Sequence, residues 1–185
     1  MTTSKYTKLS TIRLDLVAAT FEHVCAELIS ADHLATMLNA KIESGWPPGE
    51  YDRSAQEFFR DRLQQGGKAV IGWYSWYAIL RQSIYKCPLL VGAGGYFGPP
   101  DDRGEVEIGF SILSAWKGRG YATELTSALV DNAFVDLSVQ KVIAHTTAQN
   151  IASINVLKKA GFVCAGDGAT PGSMRYEIPR ALLLC

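Results

Sequence analysis

The feature that most restricts the fold of this chain is a run of three patterns between residues 105 and 137. Over residues 105–113, Val, Ile and Phe alternate with Glu, Gly and Ser, which predicts a strand with one buried face. Glycines at 118 and 120 then predict a tight turn. From 120 to 137, apolar residues recur at helical spacing, which predicts a helix packed against the strand. A strand, a glycine turn and a helix in this order favour an α/β fold.

Two segments earlier in the chain also have helical spacing. Residues 20–39 carry apolar side chains on one stripe, with a predicted break near Ser30. Residues 55–65 predict a second helix, which Asp52 or Ser54 is expected to cap and which two consecutive glycines are expected to end.

The remaining patterns predict a mixed sheet. Residues 81–88 are expected to join two strands as a hairpin, and the strand at 105–113 continues that antiparallel arrangement. A helix lies between the strands at 105–113 and 141–147, so those two are expected to be parallel. The predicted strands cover 11–16, 70–80, 89–97, 105–113, 141–147 and 175–178, and the last predicted helix covers 153–160.

Composition and charge exclude several classes of protein. Hydrophobic residues make up 48% of the chain, which is enough for a packed core and too many for a disordered chain. Lys and Arg (18) balance Asp and Glu (18), so no bulk field points to nucleic acid or to an anionic membrane. No apolar run has the length of a signal peptide or a membrane span. We expect a single domain over residues 1–185, with its core at about 11–178, in the cytoplasm.

The cysteines give no sign of a metal site or of a disulfide framework. Cys25, Cys87, Cys164 and Cys185 are widely spaced, with no CxxC pair and no histidine cluster nearby. This distribution predicts reduced thiols and no bound metal.

The junction between strand and helix at residues 117–122 has the chemistry of an anion site. Glycines let the backbone approach a phosphate closely, and the first turn of a helix presents unpaired N–H groups at the positive end of its dipole. Lys117 and Arg119 add positive charge at the same place. Together these features suit a pyrophosphate. The glycines alone are equally consistent with a tight turn that binds nothing.

Two motifs carry a resemblance to a known family. Lys117-x-x-Gly120-x-Ala122, between the predicted strand and helix, resembles the coenzyme A-binding motif of the GNAT acetyltransferase superfamily, with Lys117 where the family has Gln or Arg. Residues 150–162 resemble the family's Asn-x-x-Ser-x-x-x-Leu-x-x-x-Gly-Phe segment. The likeness covers about residues 11–178 and is nearest to the ribosomal-protein N-terminal acetyltransferases, whose pattern is matched by Trp116, by residues 121–124 and by Ser153.

The resemblance implies a GNAT-like fold: a mixed, mostly antiparallel sheet with a central parallel strand pair that splays apart, flanked by helices. It also implies acetyl-CoA as a co-substrate and no metal. The splayed strand would pair with the pantetheine arm, and the turn would hold the pyrophosphate. Asn150 would hydrogen-bond the pantetheine. It could instead cap the helix that follows it, and the two roles are compatible. The expected coenzyme residues are Phe110, Ser111, Ile112, Lys117, Gly118, Arg119, Gly120, Tyr121, Ala122, Thr123, Asn150 and Ser153.

The implied reaction moves an acetyl group from a thioester to an amine. Glu107 is the expected general base, because relatives often place an acidic residue on this strand, and Glu105 is a weaker candidate. Leu157 stands where many members carry a Tyr that acts as the general acid. Ser153 is therefore our candidate proton donor, with Tyr121 or a water molecule as alternatives. His145 is another candidate, although a single His on an apolar strand is more often structural.

The acceptor is expected to be a primary amine, on either a protein N-terminus or a small molecule. The resemblance places it near the loop that carries Trp46 and Tyr51 and near the hairpin strand that carries Trp76. The acidic residues Glu43, Glu50 and Asp52 could attract a cationic amine, while the aromatic residues could equally pack the core. No nucleic acid or membrane partner is expected, and the protein is predicted to be a monomer or a homodimer. Two alternatives are a catalytically silent acyl-CoA-binding module and a transferase with a longer acyl donor.

Overall fold

The computed structural model describes residues 7–168 and 170–183, so Cys185 lies outside the described residues. It contains one eight-stranded sheet with helices packed against it. The strands are β1 (Lys8–Ser10), β2 (Leu14–Ala18), β3 (Ser75–Leu80), β4 (Leu89–Tyr96), β5 (Glu105–Ile112), β6 (Lys141–Thr147), β7 (Val163–Asp167) and β8 (Ser173–Pro179). The helices are α1 (Phe21–Ile29), α2 (Ala31–Leu38), α3 (Arg53–Gly66), α4 (Tyr121–Val135) and α5 (Ile151–Lys159).

The sheet has the order β1-β2-β3-β4-β5-β6-β8-β7. Every neighbouring pair is antiparallel except β5 and β6, which confirms the predicted fold class. The parallel ladder joins Glu105–Glu107 to Lys141–Ile143 and then stops. Beyond it, β5 stays paired with β4 through Ile112, and β6 stays paired with β8 through Thr147. The sheet therefore opens at its centre, between β5 and β6.

Side-chain alternation on the strands produces a core on each face of the sheet. One core packs β2–β6 and β8 against α4, with Leu125 and Leu129 at its centre. The other packs the opposite faces of β3 and β4 against α1–α3, with Leu34, Phe59 and Leu63 from the helices. Neighbouring residues on one strand thus contact different helices.

Side-chain caps explain where the early helices begin. Thr20, Ser30 and Asp52 each accept a hydrogen bond from a backbone N–H of the first turn of α1, α2 and α3. The predicted break near Ser30 is confirmed, because this residue ends α1 and caps α2. Of the two predicted caps for α3, Asp52 is the one used.

Several strand predictions were wrong in extent. The strand predicted to begin at residue 11 is β2, which begins at Leu14. Ile12 is 90% exposed in the turn between β1 and β2. The strand predicted over 70–80 begins at Ser75, because Gly67–Val70 forms a 3₁₀ turn. The edge strands β1 and β7 were not predicted: β1 has three residues, and all five residues of β7 are exposed, so neither has an apolar alternation.

The described residues, 7–168 and 170–183, contain neither a membrane-spanning helix nor a metal-binding cluster. No helix in these ranges is both long and apolar enough to cross a membrane. No group of three or more His, Cys, Asp or Glu side chains in them could hold a metal ion. Cys25, Cys87 and Cys164 are free thiols.

Candidate active site

The glycine turn before α4 leaves a row of backbone donors open. Gly118 and Gly120 have φ angles of 75° and 82°, in the left-handed region that glycine enters without steric cost. Among the described residues, no side chain caps the first N–H groups of α4, which begins at Tyr121. Within the described part of the chain, no backbone N–H from Gly118 to Thr123 donates to a protein acceptor. Free donors at a helix N-terminus suit an anion.

Arg13 holds this turn from the opposite end of the sequence. Its guanidinium donates to the backbone oxygen of Arg119 at 2.9 Å and to the Glu124 carboxylate at 2.7 Å. Burial opposes ionisation of Glu124, but hydrogen bonds from Thr11 and Arg13 outweigh it and lower the Glu124 pKa. A Cβ atom on Gly120 would lie 3.3 Å from the guanidinium. Sequence reasoning missed Arg13 and Glu124 as supports, because they are 111 positions apart.

A groove of about 380 Å³ runs from this turn along β5 to α5. Every residue predicted to hold the coenzyme lines the groove except Arg119, whose guanidinium stacks on the Trp116 ring at 4.7 Å. On its far wall, Asn155 and Lys159 follow Ala152 at helical spacing, a signal that the sequence carried and that was missed. The unforeseen lining residues are Gly49, Glu50, Trp116, Ala152, Asn155, Val156 and Lys159.

The opening between β5 and β6 supplies a second set of free backbone groups. The Glu107 carbonyl accepts from the Phe97 N–H on the β4 side. Because backbone groups alternate in direction along a strand, those of Ser111 also face β4, whereas those of Phe110 and Ile112 face the opening. Two of the three residues predicted to pair with a pantetheine arm therefore present unpaired N–H and C=O groups to the groove.

Asn150 caps α5, as one of its two proposed roles required. Its Oδ1 accepts from the Ser153 N–H at 3.1 Å. Both residues also line the groove and an adjoining cavity of about 250 Å³ that extends towards His145. Leu157 lines that cavity too and is fully buried, so the position where relatives carry a Tyr contributes no hydroxyl.

Glu107 and His145 form a hydrogen-bonded pair at the point where the sheet opens. Glu107 Oε1 lies 2.8 Å from His145 Nδ1. The two side chains are 38% and 22% exposed, so both are accessible without being fully solvated. Each residue was a separate candidate in the sequence analysis, and only the parallel pairing of β5 with β6 brings the two together. A carboxylate and an imidazole in contact can accept and relay a proton.

Glu105, the weaker base candidate, is already ion-paired. Its carboxylate accepts from Arg175 at 2.8 Å and lies 3.7 Å from the Lys141 ammonium. Lys141 and Arg175 also contact Glu177, at 3.0 and 3.4 Å. The four charges form one network at the base of the parallel ladder, away from the opening.

A third cavity, of about 100 Å³, lies between α3 and the strands β4 and β5. Tyr51, Phe59 and Phe97 contribute rings to its walls, and glycines such as Gly109 leave part of its strand side without side chains. Glu50 lines this cavity, the coenzyme groove and the cavity beside His145. The three spaces therefore converge on one loop carboxylate.

The loop that carries Trp46 and Tyr51 is anchored on a buried carboxylate. Glu27 accepts from Trp46 Nε1 at 2.7 Å, the Tyr51 hydroxyl at 2.9 Å, the Tyr77 hydroxyl at 2.7 Å and Gln56 Nε2 at 2.9 Å. Burial raises the pKa of Glu27 even though these hydrogen bonds oppose the shift. The polar atoms of Trp46 and Tyr51 are thus used within the protein, while the Tyr51 ring still lines a cavity.

Trp76 does not lie where an acceptor could contact it. The side chain is fully buried, and its Nε1 donates to the Gly72 carbonyl at 2.9 Å. Along β3, Trp76 points into the core under α4, whereas Tyr77 points towards α1–α3. For Trp76, the structure therefore shows the alternative left open by the sequence, that the ring packs the core.

Comparison with known proteins decides the family. Residues 13–163 match the acetyltransferase (GNAT) domain. The chain belongs to the GNAT acetyltransferase family. The resemblance found in its motifs is confirmed, and GNAT membership makes the protein an acetyltransferase.

Individual relatives agree with GNAT membership. An uncharacterized N-acetyltransferase of Bacillus subtilis (strain 168), YjdG, is 29% identical over 133 residues, which cover 71% of this chain and 76% of that protein. The ribosomal-protein-S5-alanine acetyltransferase from Vibrio fischeri superimposes with a TM-score of 0.63 at 14% identity, over 93% of this chain and 96% of its own. An aminoglycoside acetyltransferase in complex with coenzyme A gives 0.61 at 20% identity, over 92% and 97%. At these identities the two structures establish the GNAT fold alone.

Proposed function

We propose that this GNAT protein is an N-acetyltransferase that moves the acetyl group of acetyl-CoA to a primary amine in the cytoplasm, as a monomer or a homodimer. The observation that carries the proposal is the position of the Glu107–His145 pair. The pair lies at the opening between β5 and β6, beside the groove that contains the free donors of the α4 turn. Coenzyme-binding groups and a proton acceptor thus meet at one place.

The donor half of the site fits a coenzyme by two independent features. The free N–H groups from Gly118 to Thr123 match the oxygens of a pyrophosphate, and Lys117 adds a cation beside them. The free backbone groups of Phe110 and Ile112 match the amides of a pantetheine arm, because each can replace a hydrogen bond that the sheet has lost. When bound, acetyl-CoA supplies an activated acyl group as a thioester.

Glu107 is proposed as the residue that removes the proton from the attacking amine. A protonated amine cannot attack a carbonyl carbon, so a base must act directly or through one water molecule. The Glu107 carboxylate is partly exposed at the opening, and His145 contacts it at 2.8 Å. His145 holds the carboxylate in position and offers a second site for the proton.

Ser153 is proposed to donate a proton to the leaving thiolate. It lies in the first turn of α5, lines both the groove and the adjoining cavity, and is close to Asn150. Since Leu157 has no hydroxyl, Ser153 or a water molecule next to it is the nearest proton source on this helix.

The missing Tyr at Leu157 favours one other function, a silent acyl-CoA-binding module on the same fold. Incubation with acetyl-CoA and a panel of amines, followed by mass spectrometry of the products, separates the two functions. The panel contains an aminoglycoside, a peptide with the N-terminal sequence of a ribosomal protein, and simple alkylamines, because the names of structural neighbours include the first two acceptor classes. An added mass of one acetyl group on any amine supports the enzyme. Tight acetyl-CoA binding by calorimetry with no acetylated product would leave the silent module.

A further inference from the structure

The cavity between α3 and the strands β4 and β5 is built to hold an apolar group. Its walls carry the rings of Tyr51, Phe59 and Phe97, with Tyr51 and Phe59 stacked at 6.1 Å between centroids and Phe59 and Phe97 at 6.2 Å. The Tyr51 hydroxyl is bound to Glu27 at 2.9 Å, so this residue offers only its ring to the cavity. Most of the lining is therefore carbon.

The opposite side of the cavity is formed largely by glycine backbone, with Ala93, Phe110 and Ser111 beside it. Gly94 and Gly95 on β4 and Gly109 on β5 all contribute to it, and Gly95 and Gly109 are register partners. A Cβ atom on Gly109 would approach the Phe97 ring to 3.3 Å. Glycine at this position therefore leaves open a space that a larger residue would occupy.

The size of the cavity limits what it can hold. An apolar cavity of about 150 Å³ holds one benzene molecule. This one, at about 100 Å³, suits a branched alkyl group or part of a single ring.

Charge at the mouth of the cavity indicates which end of a ligand faces the transfer site. Glu50 and Ser111 are polar lining residues, and both also line the coenzyme groove. A Cβ atom on Gly49 would lie 2.7 Å from Ser111 Oγ, so the loop crosses β5 closely and holds Glu50 beside the strand. Within the described residues, no hydrogen bond or ion pair engages the Glu50 carboxylate, which leaves it available for an ammonium group.

We propose, on the basis of the N-acetyltransferase function above, that the acceptor is a primary amine attached to a compact apolar group. The apolar group occupies the cavity between α3, β4 and β5. The ammonium group lies at Glu50, which lines one cavity together with His145, the hydrogen-bond partner of the proposed base Glu107. The same cavity lies beside Phe110 and Ser111, so the acyl chain of a donor longer than acetyl is the competing occupant, and the experiment distinguishes them.

The experiment measures kcat/KM at saturating acetyl-CoA for 3-methylbutylamine, 2-phenylethylamine, 4-amino-1-butanol and kanamycin. 3-Methylbutylamine is expected to exceed 4-amino-1-butanol and kanamycin by about tenfold or more, because the cavity buries its hydrocarbon, whereas a hydroxyl would leave water for a mostly apolar lining. 2-Phenylethylamine is expected to show a smaller preference of the same sign, because the cavity fits only part of its ring. Equal rates for polar and apolar amines would overturn this inference and leave N-acetyl transfer in place. Transfer to no amine at all would overturn the proposed function itself.

Three variants locate the apolar group in the cavity. Ala55→Leu adds bulk to the α3 wall and is expected to lower kcat/KM for 3-methylbutylamine by about tenfold without changing acetyl-CoA affinity. Gln64→Leu adds the same side chain at an exposed position of α3 and serves as the matched control. Phe97→Ala removes a half-exposed ring with little risk to folding and is expected to reduce the preference for apolar amines.

The same variants test the competing occupant with butyryl-CoA as donor. If Ala55→Leu leaves the amine preference unchanged and instead reduces butyryl transfer relative to acetyl transfer, the cavity holds the donor's acyl chain and the inference is overturned. If the amine preference falls and the ratio of the two donors does not change, the cavity belongs to the acceptor.

Discussion

The two halves of the candidate site are built from different parts of the polypeptide. The coenzyme half consists mainly of backbone groups, which are free because glycines shape the turn before α4 and because the β5–β6 ladder stops at Glu107. The proposed acceptor half depends mainly on side chains from α3 and the 46–51 loop, which the buried Glu27 carboxylate of α1 organises. A backbone site requires particular residues at fixed spacing, whereas a side-chain site can be assembled from many sequences. The comparison explains why the coenzyme half was recognisable and the acceptor half was not.

The largest effect is expected from a charge placed in the backbone-built half. Gly120→Glu puts bulk and a negative charge against the free N–H groups of the turn, within reach of the Arg13 guanidinium. We expect acetyl-CoA binding to be lost, as measured by calorimetry on protein with an unchanged circular dichroism spectrum. Gly120→Gln has nearly the same bulk without the charge and should retain weak binding. Normal affinity in a folded Gly120→Glu protein would show that the turn is not the phosphate site.

A smaller effect, on turnover alone, is expected at the boundary between the two halves. Glu107→Gln removes the proposed base and is expected to lower kcat on the order of 10³-fold, within the usual range for general bases, with little change in acetyl-CoA affinity. Glu105→Gln is the matched control, because it changes the same strand face two residues away, in an ion-paired carboxylate. Equal losses in both variants would point to damage of the strand rather than to loss of a base.

A substitution in the acceptor half is expected to change the free energy of unfolding more than it changes coenzyme binding. Glu27→Ala leaves three buried donors and one partly buried donor without this acceptor, and it is expected to lower the free energy of unfolding by about 3 kcal/mol. Glu27→Gln keeps one oxygen, and the two Tyr hydroxyls can turn to accept from its amide, so it should lose less. Denaturant unfolding measures both changes, and acetyl-CoA affinity should remain within a few-fold of normal.

The same residue gives a pH dependence with a definite sign. Burial raises the pKa of Glu27 above its ordinary value of 4.5, so the folded protein binds this proton more tightly than the unfolded chain does. Its contribution to stability is therefore complete below pH 4.5 and is lost as pH rises through the folded-state pKa. As pH rises from 4.5 through the folded-state pKa of Glu27, the wild type should therefore lose unfolding free energy relative to Glu27→Gln. A flat difference from pH 4 to pH 8 would contradict the raised pKa.

The sequence predicted elements well where side-chain periodicity was strong. The alternation that ends at Ile112 and the helical stripe of α4 fixed the centre of the fold, because half-buried strands and amphipathic helices require those periods. The edge strand β7 was missed because both of its faces are exposed and its residues show no alternation. Residue 70 was placed in a strand because a run of apolar residues precedes β3, although Val70 ends a 3₁₀ turn and the strand begins only at Ser75.

For the site, the sequence by itself determined the coenzyme motif, because a glycine turn, a helix N-terminus and an Asn cap are local features of the chain. Only the tertiary structure decided which distant residues meet. The β5–β6 register brings Glu107 into contact with His145, and Arg13 binds the backbone of the glycine turn. Trp76 lies in the core, whereas Glu50 lines three cavities. The physical reason is that the hydrogen bonds of a turn join residues only a few positions apart. Contacts between distant side chains depend on strand order and register, which cannot be read from a single sequence.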